Sequence, residues 1–207
     1  MPPHGRIRDL LTEPERRALL DWAISHAAEF KPAKIYRRTE GESVDPRTRI
    51  ALKLRNLGPH ADVLSDRLMA VFPQISAAVG YRGSDDLSIE FELNAYGEGA
   101  HFAPHIDIPI GSVTDGGLGQ DRIISAVYYF HNEPKAFSGG ALRIYRFGVE
   151  SDRARQSDVI ELEPVQNSLV VFPSWTVHAV DTVHCTSDRF SDFRFALNCW
   201  FCRRLPG

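Results

Sequence analysis

The chain has 207 residues, 43% of them hydrophobic and 25% charged, with a formal net charge of −3. This is enough apolar matter for a packed core, and it predicts one domain over 1–207, with 1–85 as helical and strand support and 86–203 as the core. The charge balance argues against a partner made of nucleic acid or acidic membrane surface. No apolar run approaches a membrane span, and the first residues do not lead into a signal-peptide core. The three cysteines, Cys185, Cys199 and Cys202, form an odd cluster near the end of the chain, which does not suit a secreted disulfide framework. A reducing, cytoplasmic setting is expected.

Residues 1–9 read as a loose terminus. Thr12-Glu13-Pro14-Glu15 then reads as a helix start, with Thr12 as cap, Glu15 at the capping-box position and Pro14 in the first turn. Leu19, Leu20, Ala23, Ile24 and Ala27 continue at helical spacing, and the helix should end near Phe30. A strand is expected from Lys31, a polar loop from Thr39 to Arg49, and a second strand over 49–55. Pro59 to Phe72 reads as a second helix, with Val63, Leu64, Leu68, Val71 and Phe72 on one face. Both helices should support one face of a sheet.

From Asp86 the pattern changes to period two. Leu87, Ile89, Phe91, Leu93 and Ala95 alternate with Ser88, Glu90, Glu92, Asn94 and Tyr96, as in a half-buried strand. Further short strands are expected near 102–109, 122–131, 140–147, 157–163, 168–173, 177–183 and 192–202. Glycine- and aspartate-rich connectors separate them, notably 111–120. So many strands with little helix between them predict a mostly β (α+β) fold, a sandwich or jelly roll with N-terminal supporting helices.

The chemistry centres on 94–109. In His105-Ile106-Asp107 the side chains at i and i+2 of a strand share a face, so an imidazole and a carboxylate lie side by side. Two such ligands and a further histidine make the facial triad of a non-haem Fe(II) oxygenase, which leaves metal positions open. His178 is the preferred third ligand. His4, His26, His60, His101, His131 and His184 are rivals, His101 being the nearest in sequence. The strand after His178 places Phe193, Phe195, Leu197, Cys199 and Phe201 on one face and Arg194, Ala196, Asn198 and Trp200 on the other. An arginine among so many aromatics is costly to bury alone, and its fork matches a carboxylate. Arg194 is thus a candidate for holding a dicarboxylate beside the metal, with Arg189 as the alternative. Cys199-x-x-Cys202 is too little for a structural zinc site, and a strand would turn the two thiols to opposite faces.

Tyr96-Gly-Glu-Gly, His105-Ile-Asp107, Arg122-Ile-Ile-Ser-Ala-Val-Tyr-Tyr-Phe, Ser138-Gly-Gly-Ala-Leu-Arg-Ile-Tyr, Leu169-Val-Val-Phe-Pro-Ser, His178-Ala-Val and Arg194-Phe-Ala-Leu-Asn-Cys-Trp-Phe occur in that order. Over about 87–202 this resembles the prolyl 4-hydroxylase-type 2-oxoglutarate- and Fe(II)-dependent dioxygenases, the hypoxia-factor prolyl hydroxylase branch especially. The resemblance implies a double-stranded β-helix with iron on His105, Asp107 and His178. It implies 2-oxoglutarate chelating that iron, its far carboxylate meeting Arg194 and Tyr129, with Tyr96 lining the pocket. Two departures stand out: Phe102 where many members carry tyrosine, and a long spacing between His178 and Arg194 through 185–192.

The resemblance also implies the reaction, an O₂-dependent hydroxylation of a C–H bond coupled to 2-oxoglutarate decarboxylation. The substrate is expected to be a prolyl residue of a protein or peptide, with loops 38–48 and 111–120 as lids. A free amino acid or small metabolite is the alternative. A halogenase is disfavoured, because Asp107 fills the position a halide would need. A non-redox cupin-like metal-binding module, or a zinc hydrolase with Glu98 as base, are the readings from other classes.

Overall fold

The computed structural model describes residues 1–37, 41–83, 86–108, 120–148, 150–151 and 154–204. In chain order its elements are β1 (Gly5–Arg8), α1 (Glu13–Ser25), β2 (Lys31–Pro32), β3 (Ile35–Arg37), β4 (Gly41–Ser43), β5 (Arg49–Ile50), β6 (Leu52–Leu54), α2 (His60–Ala70) and α3 (Phe72–Val79). Then follow β7 (Leu87–Tyr96), β8 (His101–His105), β9 (Gln120–Phe130), β10 (Phe137–Gly139), β11 (Leu142–Tyr145), β12 (Val159–Leu162), β13 (Ser168–Pro173), β14 (His178–Val180), β15 (Val183–Cys185) and β16 (Arg194–Arg204). The long arc 111–119 of the glycine-rich connector, and 38–40 of the polar loop, lie outside the described residues.

A major sheet, ordered β1-β13-β9-β16-β7-β6-β2, faces a minor sheet, ordered β12-β11-β14-β8-β5. All the pairings are antiparallel, and together they form the jelly roll that the alternating sequence predicts. The alternation sorts β16 cleanly. Phe195, Leu197, Cys199 and Phe201 enter the core between the major sheet and the helices, while Ala196 joins the smaller core inside the barrel with Tyr96, Val127 and Tyr129. The helices contribute Leu19, Leu20, Ala23, Leu64, Leu68, Ile75 and Val79 to that outer core. Fully burying one such aliphatic side chain contributes about 1.5–3 kcal/mol, so the helices are held as a supporting layer.

Three expectations change. The first residues are not loose: Gly5–Arg8 pairs with β13 as the edge of the major sheet. The second helix is two helices. Pro73 has no N–H to continue the ladder, and its ring crowds the carbonyl four residues back, so α2 ends at Ala70 and α3 begins at Phe72 with Pro73 in its first turn. α3 then runs to Gly80, whose φ of 70° closes the helix while Tyr81 N–H donates to the Ser76 carbonyl at 2.9 Å. The strand over 49–55 is also split. Arg49–Ile50 pairs with β8 in the minor sheet, and Leu52–Leu54 pairs with β7 in the major one. Ala51 is where the chain crosses from one wall of the barrel to the other. At the start of α1, the Glu15 carboxylate accepts both Thr12 N–H and Thr12 Oγ–H at 2.8 Å, as the capping signal predicts.

Candidate metal and co-substrate site

His105 is the last residue of β8 and His178 the first of β14, and the register sets them directly opposite each other. Asp107 lies just beyond the end of β8, where its N–H donates to the Ser174 carbonyl at 3.0 Å. Three residues from two connections therefore meet at one end of the minor sheet. Their ligand atoms all lie within 4.8 Å of one another. His105 Nε2 is 3.7 Å from Asp107 Oδ1, and His178 Nε2 is 3.6 Å from Asp107 Oδ2.

The rings are aimed by their backbone. Nδ1–H of His105 donates to the Ala103 carbonyl at 2.8 Å, and Nδ1–H of His178 donates to the Thr176 carbonyl at 2.9 Å. A carbonyl only accepts, so Nδ1 carries the proton, and in the neutral rings Nε2 offers a lone pair. Burial, and then the neighbouring His178, push the His105 pKa well below its ordinary value. Burial alone would raise the Asp107 pKa. The two imidazoles, Ser125 and Trp200 outweigh it and hold the carboxylate below its ordinary range. Two imidazoles presenting Nε2 and an anionic carboxylate are the donor set a divalent iron takes.

The same cavity is lined on its other side by Arg194, Tyr129 and Tyr96 from the major sheet. Arg194 is 1% exposed. Its Nε and Nη1, and the Tyr129 hydroxyl, have no hydrogen-bond partner among the described residues. Its Cζ lies 4.8 Å from the Tyr96 ring centroid and 5.0 Å from that of Tyr129. An unpaired buried guanidinium is costly, and a carboxylate ligand offsets that cost with a bidentate pair. Gly140 makes the room: at φ 69° a Cβ there would stand 2.6 Å from Arg194 Cδ and 2.8 Å from Nε. Burial pushes the Tyr129 phenol up to about 12, so it remains a donor at neutral pH.

The rival candidates fall elsewhere. Arg189 has a side chain 77% exposed and pairs with Asp192 at 2.9 Å. His101 donates to the Gly99 carbonyl, His131 to the Asn132 carbonyl, and His184 faces Glu98. Glu98 accepts the Cys185 N–H at 2.6 Å at the surface and does not line the cavity that holds His105, Asp107 and His178, where a zinc hydrolase would need its base. Cys199 and Cys202 are both buried, and all three cysteines are free thiols.

Sequence reading missed the supports. Ser125 Oγ–H donates to Asp107 Oδ2 at 2.6 Å and lies 2.9 Å from Ser174 Oγ. Arg122 lies over the Trp200 ring at 3.7 Å and pairs with Glu90 at 2.7 Å. The available signal was a lone serine in the apolar run 123–130, at an inward position.

Residues 91–202, over half of the chain, match the family described as the 2OG-Fe(II) oxygenase superfamily. The chain belongs to this superfamily. Membership implies Fe(II), 2-oxoglutarate and O₂ as the cofactor set. A curated relative is the uncharacterized PKHD-type hydroxylase sll0191 of Synechocystis sp., 27% identical over 203 residues. The match takes in 98% of this chain, and the chain spans 64% of the relative's length. The fold is shared with a Pseudomonas putida prolyl-4-hydroxylase at TM-score 0.65 and 21% identity, covering 98% of this chain and 94% of that one. It is shared too with a Trichoplax adhaerens prolyl hydroxylase, solved with a hypoxia inducible factor oxygen degradation domain peptide fragment. There the TM-score is 0.67 and the identity 16%, with 96% and 83% covered. Among the described residues, no helix is long and apolar enough to cross a membrane.

Proposed function

We propose that this oxygenase hydroxylates a C–H bond of a prolyl residue in a protein or peptide, consuming 2-oxoglutarate and O₂. Balanced, R–H, 2-oxoglutarate and O₂ give R–OH, succinate and CO₂. The observation that carries the reading is that Arg194 Nε and Nη1 and the Tyr129 hydroxyl, all buried, have no hydrogen-bond partner among the described residues and lie in the same cavity as the His105–Asp107–His178 cluster. A cluster alone suits many metals. A cluster facing an orphaned guanidinium across a small cavity suits a metal-bound acid with a second carboxylate.

In this reading His105 and His178 give Nε2 lone pairs and Asp107 gives a carboxylate oxygen to Fe(II). Arg194 and Tyr129 receive the far carboxylate of 2-oxoglutarate, and Tyr96 walls the cavity. The bound iron, 2-oxoglutarate and O₂ supply the oxidising power; the chain supplies placement. Val127, Leu142 and Val180 line the remainder and exclude water, which protects the reaction from uncoupled side steps. Ser125 and the backbone carbonyls of Ala103 and Thr176 fix the ligands before substrate arrives.

The prolyl substrate is supported by the names of the structural neighbours, one of which was solved with a peptide, and hydroxylation by the name of the relative. A cytoplasmic setting is supported by the three free thiols. The deciding experiment offers the Fe(II)-loaded enzyme proline-containing peptides, free proline and 2-oxoglutarate under air. Peptide gaining one oxygen on proline, with matching succinate, is expected. Oxygen gained by free proline alone would overturn the polypeptide assignment.

A further inference from the structure

The two halves of the site sit on different walls. The metal-cluster histidines are on the minor sheet, and Arg194, Tyr129 and Tyr96 are on the major sheet. Something must fix the distance between them. Arg49 is placed to do so. It belongs to β5, directly across from Phe102 of β8. Its Cζ lies over the Phe102 ring, 4.6 Å from the centroid. Phe102 in turn stacks on the His105 imidazole, with ring centroids 3.5 Å apart and planes 15° from parallel. From the same guanidinium, Nη2 donates to Glu92 Oε1 at 2.9 Å and to Asn94 Oδ1 at 2.6 Å. Glu92 and Asn94 lie on β7 of the major sheet, inward-facing like Tyr96 two residues on.

One buried side chain thus touches both walls. The minor-sheet contact leads through a single aromatic ring to a cluster ligand. The major-sheet contact lies on the strand whose last residue, Tyr96, pairs in register with Arg194. We infer that Arg49 is a positioning residue: through Phe102 it sets His105, and through Glu92 and Asn94 it holds the metal wall at a fixed distance from the carboxylate-binding wall. The inference rests on the proposed site, and it assigns Phe102 the role of transmitting slab.

A purely structural Arg49 would be a poor choice. A buried ion pair often contributes less than apolar residues of the same shape, and the Arg49 Nε has no hydrogen-bond partner among the described residues. Glu92 also has Lys53 at 3.5 Å, so it does not depend on Arg49 alone for neutralisation. What an apolar residue lacks is the planar fork that joins one wall by hydrogen bonds while its face meets an aromatic ring on the other.

The test measures Mn(II) affinity, 2-oxoglutarate affinity in the presence of Mn(II), and thermal midpoint, for the wild type, Arg49→Met, Phe102→Leu and the double variant. Supports of this kind are worth ~10- to 100-fold at metal sites. Each single variant should weaken Mn(II)-dependent 2-oxoglutarate binding about tenfold while keeping a cooperative thermal transition. The double variant should lose no more than the larger single loss, because both act along one path. Unchanged binding in the single variants, or multiplied losses in the double, overturns the inference. If Arg49→Met fails to fold, Phe102→Leu leaves the Glu92 pairing in place and is read alone, where wild-type affinity is the overturning result. A wild type that shows no Mn(II)-dependent 2-oxoglutarate binding would instead defeat the site assignment itself, and the brace with it.

Discussion

The hydroxyl of Ser125 donates to Asp107 Oδ2 at 2.6 Å, from the strand of the major sheet that faces the metal cluster. Since its proton is committed to Asp107, Ser174 Oγ–H must be the donor in the 2.9 Å contact between the two serines. A relay of two hydroxyls therefore fixes one carboxylate oxygen. Removing it by Ser125→Ala is expected to cost about 1 kcal/mol of stability and ~10-fold in metal affinity. Equilibrium metal titration beside chemical denaturation checks both, and the two effects should appear together.

Arg194 is buried with Nε and Nη1 lacking a hydrogen-bond partner among the described residues, so it should burden the ligand-free protein. Arg194→Met is expected to leave the ligand-free thermal midpoint unchanged or higher, and to abolish the rise in midpoint that metal plus 2-oxoglutarate gives the wild type. Arg189→Ala should keep that rise in full, since Arg189 is paired with Asp192 at the surface. Thermal scans with and without ligand separate the two arginines.

Gly140→Ala tests the cradle without touching a charge. A Cβ at φ 69° is strained, and it would stand 2.6 Å from Arg194 Cδ. Displacing the guanidinium should raise the 2-oxoglutarate concentration needed for half-saturation by about tenfold, while metal binding stays near wild type, because the cluster lies on other strands. A hydrogen bond to a charged group is worth about 1.5–3 kcal/mol, and a tenfold loss is about 1.4 kcal/mol, so the expected loss corresponds to weakening one such bond. Calorimetric titration of each ligand separately is the measurement.

The Glu15 pKa is lowered to about 2, first by Arg67 and then by the Thr12 N–H. The folded value is below the unfolded one, so the ionised carboxylate stabilises the fold at pH above about 4.5, and this is lost as pH falls towards 2. The Arg67 side chain is 43% exposed, so solvent screening reduces the effect to about 1 kcal/mol. Glu15→Gln should therefore be less stable by about that amount at pH 7, and the gap should shrink steadily below pH 4.5. Urea midpoints at both ends of that range measure it.

Much of the fold was legible because burial on one face imposes period two, and β7 and β16 carry that pattern without a break. The candidate cluster was legible in part: His105 and Asp107 are ligand-type residues at i and i+2, although the expected strand to 109 stops at His105 and Asp107 lies in the bend beyond it, and Arg194 is a charge on a strand whose other face is fully apolar. What stayed hidden was set by long-range pairing. Nothing within Gly5–Arg8 announces that it edges the major sheet, since the partner lies at 168–171. Arg49 looked like one end of an ordinary strand. Its role depends on the chain changing sheets at Ala51, and no local pattern encodes that crossing. The α2–α3 break was readable from Pro73, whose effect on the preceding turn is local, yet the apolar spacing continues across it.

The most direct test is an anaerobic titration of the metal-free protein with Fe(II) and then 2-oxoglutarate, followed by visible absorbance. A weak charge-transfer band that requires both additions, is absent in His178→Ala, and needs far more 2-oxoglutarate in Arg194→Met is the predicted result. Measured iron binding by folded protein with no such band, or a band unchanged in both variants, would contradict the assignment of His105, Asp107, His178 and Arg194.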